Sequence, residues 1–115
     1  MMEYRIRTTK TFDKEIKRLR KRYASIAADY ARLLDEIAQN PQLGTDLGRG
    51  LRKVRMAIAS KGKGKSGGAR VITFSVIVSV DATEINLLYI YDKSERSSIS
   101  QKELEELLVR NGFAG

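Results

Sequence analysis

The sequence predicts an α+β domain in which a mostly antiparallel, twisted sheet of about four strands is packed by an N-terminal helical hairpin, with a short C-terminal helix. Three observations predict this fold. Apolar residues recur at helical spacing over residues 12–37, they alternate or run continuously in three segments between residues 51 and 91, and a helix-capping sequence begins at Ser100. The length of 115 residues suits a single domain over residues 1–115, in the order β-α-α-β-β-β-α.

The N-terminal third of the sequence predicts one strand and two helices. Residues 3–8 alternate between apolar and charged side chains, which indicates a short strand. Thr11 can cap a helix over the apolar stripe of residues 12–23, whose outer positions are rich in lysine and arginine. A second stripe over residues 26–37 ends near Pro41, because proline lacks the amide that a further helical turn needs. The two helices therefore form a hairpin.

The apolar period changes to two after a glycine-rich segment, residues 41–50, which predicts an irregular loop. The strand predicted over residues 51–59 has apolar side chains on one face and Lys53 and Arg55 on the opposite face. Both charges therefore point the same way.

Two more strands and a helix complete the predicted fold. Residues 70–80 are almost continuously apolar and β-branched, which predicts a central strand covered on both faces. A turn at residues 81–83 leads into a strand over residues 85–91. Ser100 and Glu103 have the spacing of a capping box, so a short helix begins there.

The sequence contains neither cysteine nor histidine. Their absence excludes disulfides, cysteine nucleophiles and imidazole catalysis and argues against a transition-metal site, so we predict no metal and no cofactor. No apolar stretch has the length of a membrane span, and the first ten residues are polar where a secretory signal is apolar. These features predict a cytoplasmic protein.

The net charge of +8 is unevenly distributed. Residues 1–80 carry 18 lysines and arginines against 7 acidic residues, whereas residues 81–115 carry 4 against 7. A basic body favours a polyanionic partner, because each cation placed against a phosphate releases a condensed counterion. The alternative is that the lysines only increase solubility. We interpret the acidic residues Asp92 and Glu95 as partners of the two cations beside them in sequence.

Lysines and glycines alternate just before the central strand. Gly64, Lys65 and Ser66 match the end of the P-loop nucleotide-binding pattern, but its first glycine is missing and a strand follows where the mechanism needs a helix N-terminus. We therefore predict a flexible loop in which Lys61, Lys63 and Lys65 contact a phosphate backbone. The alternative is a mobile, solvated connection.

Four cationic side chains could converge on one sheet surface if their strands are neighbours: Lys53, Arg55, Arg70 and Lys93. RNA supplies its own nucleophile, because the ribose 2′-hydroxyl can attack the adjacent phosphate. A protein then needs only to hold the backbone in line, neutralise the developing charge and assist proton transfer. DNA lacks the 2′-hydroxyl, so the same groups could bind it without cleaving it by this route.

Residues 51–55, 63–72 and 87–95 carry a resemblance to a known family, and the pattern G-K-S-G-G-x-R-V within them is its most specific part. The chain resembles the RelE/ParE superfamily of bacterial and archaeal toxins over nearly its whole length and is most similar to the RelE/HigB branch. The resemblance implies a RelE-like fold and a toxin that is neutralised by an antitoxin encoded beside it. For RelE and HigB members it also implies an mRNA endoribonuclease that acts in the ribosomal A site.

The resemblance also implies roles for single residues. It matches Lys53, Arg55, Arg70 and Lys93 to catalytic positions, and together with the basic loop it leads us to predict RNA contacts by Lys61, Lys63, Lys65, Tyr91 and Arg96. Arg70 would brace the phosphate in the transition state. Three positions depart from the RelE pattern, since Arg55 stands where a lysine is expected, Ser94 where an arginine is expected and Ser100 where a base-stacking tyrosine is expected. Tyr91 is the aromatic side chain that could take that role, although a core position is more common for such a tyrosine.

Two other functions are compatible with the same fold. A ParE-like toxin would bind and inhibit DNA gyrase without chemistry, and an inactive member would only bind antitoxin or RNA. The concentration of phosphate-compatible cations favours the nuclease. We also predict a 1:1 complex in which a segment of the antitoxin covers or distorts the surface of Lys53 and Arg70.

Overall fold

A computed structural model describes residues 2–113, and its elements follow in the order β1 (Glu3–Thr8), α1 (Lys10–Arg22), α2 (Ile26–Gln39), β2 (Thr45–Gly48), β3 (Leu51–Met56), a 3₁₀ turn (Ala59–Lys61), β4 (Ala69–Ser79), β5 (Ala82–Asp92) and α3 (Gln101–Arg110). The strands form one sheet in the order β1-β5-β4-β3-β2. β1 runs parallel to β5, and the other neighbouring pairs are antiparallel. The predicted α+β class is confirmed.

The two faces of the sheet are packed by different helices. The hairpin of α1 and α2 covers one face, where Phe12, Leu19, Leu33 and Ile37 meet apolar residues of β3, β4 and β5. α3 lies on the opposite face, where its leucines pack on apolar residues of β3, β4 and β5. Of the helices in the described residues, none combines the length and the apolar character needed to cross a membrane.

The cap of α1 differs from the prediction. Thr9, not Thr11, accepts a hydrogen bond from the Phe12 amide, and the Thr9 backbone is extended as an N-cap requires. Thr9 is fixed there because its own amide and hydroxyl donate to carbonyls of β5. The predicted capping box at Ser100 is confirmed, since Ser100 and Glu103 each accept from the backbone amide of the other.

Three predictions about the strands are corrected. Residues 45–48, predicted as loop, form β2, because they pair with the edge of β3. β5 begins at Ala82 rather than residue 85, so the predicted turn at residues 81–83 is shorter. The end of β4 is not covered on both faces: Ile77 is 77% exposed, because the paired ends of β4 and β5 extend beyond the helices.

Candidate nucleic-acid interface

Strand pairing places the predicted cations on one face of the sheet. Arg55 of β3 lies opposite Arg70 of β4, and Arg70 lies opposite Tyr91 of β5. Because directly opposed residues project to the same side of a sheet, these three side chains share a face. Lys53 shares it too, since it lies two residues before Arg55 on the same strand. We call Lys53, Arg55 and Arg70 the cationic face; it is the side on which α3 packs, opposite the helical hairpin.

Lys53 and Arg55 carry charges that the fold does not neutralise. Arg55 is exposed and Lys53 is half-buried. In residues 2–113, no acidic side chain lies within ion-pairing distance of either one. The neighbouring Arg52 points to the hairpin side and donates to the carbonyls of Gln42 and Gly44. Lys53 and Arg55 are therefore free to bind a ligand.

Arg70 lies on the predicted face but has a structural task as well. It is only 5% exposed, and its Nη1 donates to the carbonyls of Lys65 (3.1 Å) and Ala69 (3.2 Å) while its Nη2 donates to Ser66 (3.2 Å). The guanidinium thus holds the returning end of the glycine-rich loop. Its Nε–H and one Nη2–H have no acceptor among the described residues, and these two donors could still hold a phosphate oxygen.

The ring of Tyr91 is not an open platform for a base. The side chain is 2% exposed, the Arg96 guanidinium lies 5.5 Å from the ring centroid, and the Tyr89 ring lies beside it. A stacked base needs an uncovered ring, so that prediction is corrected. The hydroxyl has no hydrogen-bond partner among the residues described. Burial raises the pKa of Tyr91, although the positive charges of Arg70 and Arg96 oppose the shift.

The loop between β3 and β4 is more ordered than its glycines suggest. Lys61 is almost completely buried and its Nζ lies 2.7 Å from Asp92, so it is not the solvent-facing phosphate contact that we predicted. Lys65 remains half-exposed but is paired with Glu36 on α2. Lys63 is exposed and has no ion pair within residues 2–113. Gly68 closes the loop, because a Cβ there would strike the carbonyl of Met56.

The turn after β5 brings two further candidate cations near the face. Lys93 donates to the carbonyl of Ser97 at 3.2 Å and keeps other N–H donors for a ligand. Arg96 is occupied by Glu103 of α3 and by the carbonyl of Ser98, so its main contacts attach α3 to the turn. Glu95 pairs with Arg18 and Arg22 of α1 rather than with its sequence neighbours, which corrects our interpretation of this acid.

A family model described as the RelE toxin of the RelE/RelB toxin–antitoxin system matches residues 4–111. The chain belongs to the RelE toxin family. The match covers every helix and strand except the first residue of β1, and it includes the cationic face and the loop beside it. A RelE toxin has an antitoxin as its partner, and toxins of this family are generally endoribonucleases.

Proposed function

We propose that this RelE-family protein is a cytoplasmic toxin that cleaves ribosome-bound mRNA through attack of a ribose 2′-hydroxyl on the adjacent phosphate. One observation carries the proposal: Arg55 and Arg70 lie directly opposite each other on one sheet face, with Lys53 two residues away, and no carboxylate in the described residues pairs with Lys53 or Arg55. Three cations on a rigid sheet suit a phosphate that gains charge in the transition state.

The cationic face can supply what RNA cleavage requires beyond the substrate's own nucleophile. The free donors of Arg70 would brace the scissile phosphate, and Lys53 and Arg55 would hold the backbone in line and assist proton transfer. Lys63, Lys65 and Lys93 belong to the loop and the turn beside the face and would contact neighbouring phosphates, Lys65 after releasing Glu36. This chemistry requires RNA, because DNA has no 2′-hydroxyl.

The cationic face also suggests how the antitoxin neutralises the toxin. We propose that a segment of the antitoxin covers or distorts this face in a 1:1 complex. Its acidic side chains would pair with Lys53 and Arg55, the charges left without partners. A structure of the complex in which this face stays open and undistorted would contradict this part of the proposal.

The test is to change the face one cation at a time and to follow cleavage of ribosome-bound mRNA. We expect Lys53→Ala to lower the cleavage rate about 100-fold, the order of loss seen when one preorganised charge-stabilising group is removed. Arg70→Lys should lower it too, because lysine cannot offer two parallel donors. Arg7→Ala is the matched control, since Arg7 lies on the edge strand β1 and is already paired with Glu84.

Unchanged cleavage in both Lys53→Ala and Arg70→Lys would remove this site from the proposal. A wild-type protein that inhibits gyrase supercoiling and leaves ribosome-bound mRNA intact would replace the nuclease with the ParE-like alternative.

A further inference from the structure

Asp92 is the centre of a buried polar cluster on the hairpin side of the sheet. Its side chain is completely buried and accepts four hydrogen bonds. Oδ1 accepts from Lys61 Nζ at 2.7 Å and from the amide and hydroxyl of Ser94 at 3.0 and 2.8 Å, while Oδ2 accepts from the Tyr23 hydroxyl. We call Tyr23, Lys61, Asp92 and Ser94 the Asp92 cluster. Its two charges neutralise each other, and its carboxylate is fully satisfied.

The Asp92 cluster joins the end of α1 to the loop and the turn beside the cationic face. Tyr23 follows the last residue of α1, Lys61 ends the 3₁₀ turn that leads into the glycine-rich loop, and Ser94 lies in the turn that carries Lys93. The far end of the loop is fixed separately, because Arg70 holds the carbonyls of residues 65 and 66 and the Lys93 amide donates to the carbonyl of Gly68. The cluster therefore fixes the near end of a loop whose far end is already attached to the cationic face.

We propose that Asp92 and Lys61 are positioning residues, which hold the loop of residues 62–68 and the turn of residues 93–96 in register with the cationic face. This inference rests on the proposed function, since register with the face matters only if RNA is processed there. Asp92 and Lys61 touch no substrate. They act through Lys63, Lys65 and Lys93, whose backbones they anchor.

A purely stabilising role explains the Asp92 cluster less well. A buried ion pair contributes little more to stability than a well-packed apolar pair, because both charges must leave water. Unlike an apolar pair, the Asp92 carboxylate fixes the relative positions of three segments, because its four hydrogen bonds are directional. A direct RNA contact by Lys61 is excluded in this conformation by its burial under the Tyr23 ring, 5.5 Å from its centroid.

The test measures steady-state cleavage of ribosome-bound mRNA by full-length Asp92→Asn, Lys61→Met and the double variant. We expect each single variant to lower kcat about 10- to 100-fold, the loss that a misplacement of about 1 Å can produce, with a smaller effect on KM. The kcat of the double variant should be no lower than that of the poorer single variant, because each variant breaks the same Asp92–Lys61 ion pair. Lys61→Arg keeps the ion pair and should restore most of the rate.

Two controls separate positioning from its alternatives. Ile37→Ala destabilises the hairpin core without touching the Asp92 cluster, and below its unfolding temperature it should cleave at the wild-type rate. Asp92→Asn keeps the lysine and releases it from its partner, so a direct RNA role of Lys61 predicts full activity in this variant. A positioning role predicts a lower kcat in Asp92→Asn.

Hydrogen exchange of the amides of residues 62–68 is read in parallel, and it should be faster in both single variants than in the wild type. Normal kcat in both single variants, or a loss equal to that of Ile37→Ala, would overturn the inference. If the wild type itself cleaves no RNA, the proposed function fails. Hydrogen exchange then tests the anchoring of the loop without a cleavage assay. Exchange rates equal to those of the wild type in both single variants would show that Asp92 and Lys61 do not anchor it.

Discussion

Lys53 and Lys61 are the same residue type eight positions apart, yet the fold treats their charges in opposite ways. Lys53 lies on the cationic face and has no acidic partner in the described part of the chain, whereas Lys61 lies on the hairpin side and is buried against Asp92. The pair shows that local charge density does not identify a ligand-binding cation. The decisive property is whether the fold has already supplied a counter-charge.

The difference between the two lysines should also appear in their effects on stability. An unpaired surface cation contributes almost nothing to folding and is free to bind, while a buried and paired cation is unavailable to a ligand and destabilises the fold if its partner is removed. Removal of the Asp92 carboxylate should therefore lower stability far more than removal of the Lys53 charge.

The largest expected effect is on stability at the buried site. Asp92→Ala leaves the Lys61 ammonium buried without a partner, so it should lower the free energy of unfolding by about 3–5 kcal/mol. Lys53→Ala should change it by less than about 0.5 kcal/mol, because nothing buried loses a partner. Urea unfolding followed by circular dichroism measures both. A loss of unfolding free energy in Lys53→Ala as large as that in Asp92→Ala would contradict the distinction between the exposed and the buried cation.

The pH dependence of stability provides a control for this first prediction. Burial alone would raise the pKa of Asp92, but hydrogen bonds from Lys61, Tyr23 and Ser94 outweigh it and hold the pKa well below its ordinary value. A depressed pKa in the folded state stabilises the protein above the unfolded pKa of about 3.9, and this contribution is lost as the pH falls below that value. The stability gap between wild type and Asp92→Asn should therefore be constant from pH 6 to 8 and shrink below about pH 4.

A smaller effect is expected at Gly68, where the loop that begins after Lys61 returns to β3. A Cβ at Gly68 would strike the carbonyl of Met56 and lie 2.9 Å from the Ile58 amide, so Gly68→Ala should cost about 1–3 kcal/mol through overpacking. Lys63→Ala is the matched control in the same loop, because the Lys63 side chain is exposed and has no ion pair within residues 2–113. Thermal unfolding of the two variants measures the difference, and equal melting temperatures would show that the loop does not need its close approach to β3.

The fold was predictable where its signal is local. Alternation over residues 51–59 places Lys53 and Arg55 on one face, and the capping box at Ser100 starts a helix without help from the rest of the chain. β2 could not be predicted in this way, because its strand conformation depends on pairing with β3. The cap at Thr9 depends similarly on hydrogen bonds to β5, 78 and 79 residues away.

The candidate site was predictable only in part for the same reason. Arg70 reaches the cationic face as expected, but its hydrogen bonds to the loop, and the covered ring of Tyr91, are products of tertiary packing. Asp92 and Lys61 are 31 residues apart, and no spacing in the sequence connects them. Residue types and periodicity indicate which side of a strand a charge occupies. They do not indicate which partner it meets, because that depends on how the hairpin packs on the sheet.

The smallest effect, and the one that bears most directly on Lys53 and Lys61, is on the salt dependence of RNA binding. Each phosphate contact on single-stranded RNA contributes about 0.7 to the slope of log affinity against log salt concentration, because one condensed counterion is released. Lys53→Ala should therefore reduce the magnitude of the slope by roughly that amount, while Lys61→Met should change the slope no more than Asp92→Asn does, since both variants release the same loop and the Lys61 charge is already neutralised by Asp92. Fluorescence anisotropy with a labelled oligoribonucleotide across a salt series measures the slopes. A slope that falls further in Lys61→Met than in Asp92→Asn would mean that Lys61 leaves its buried pair to bind RNA, and the contrast between the two lysines would then hold only for the unbound protein.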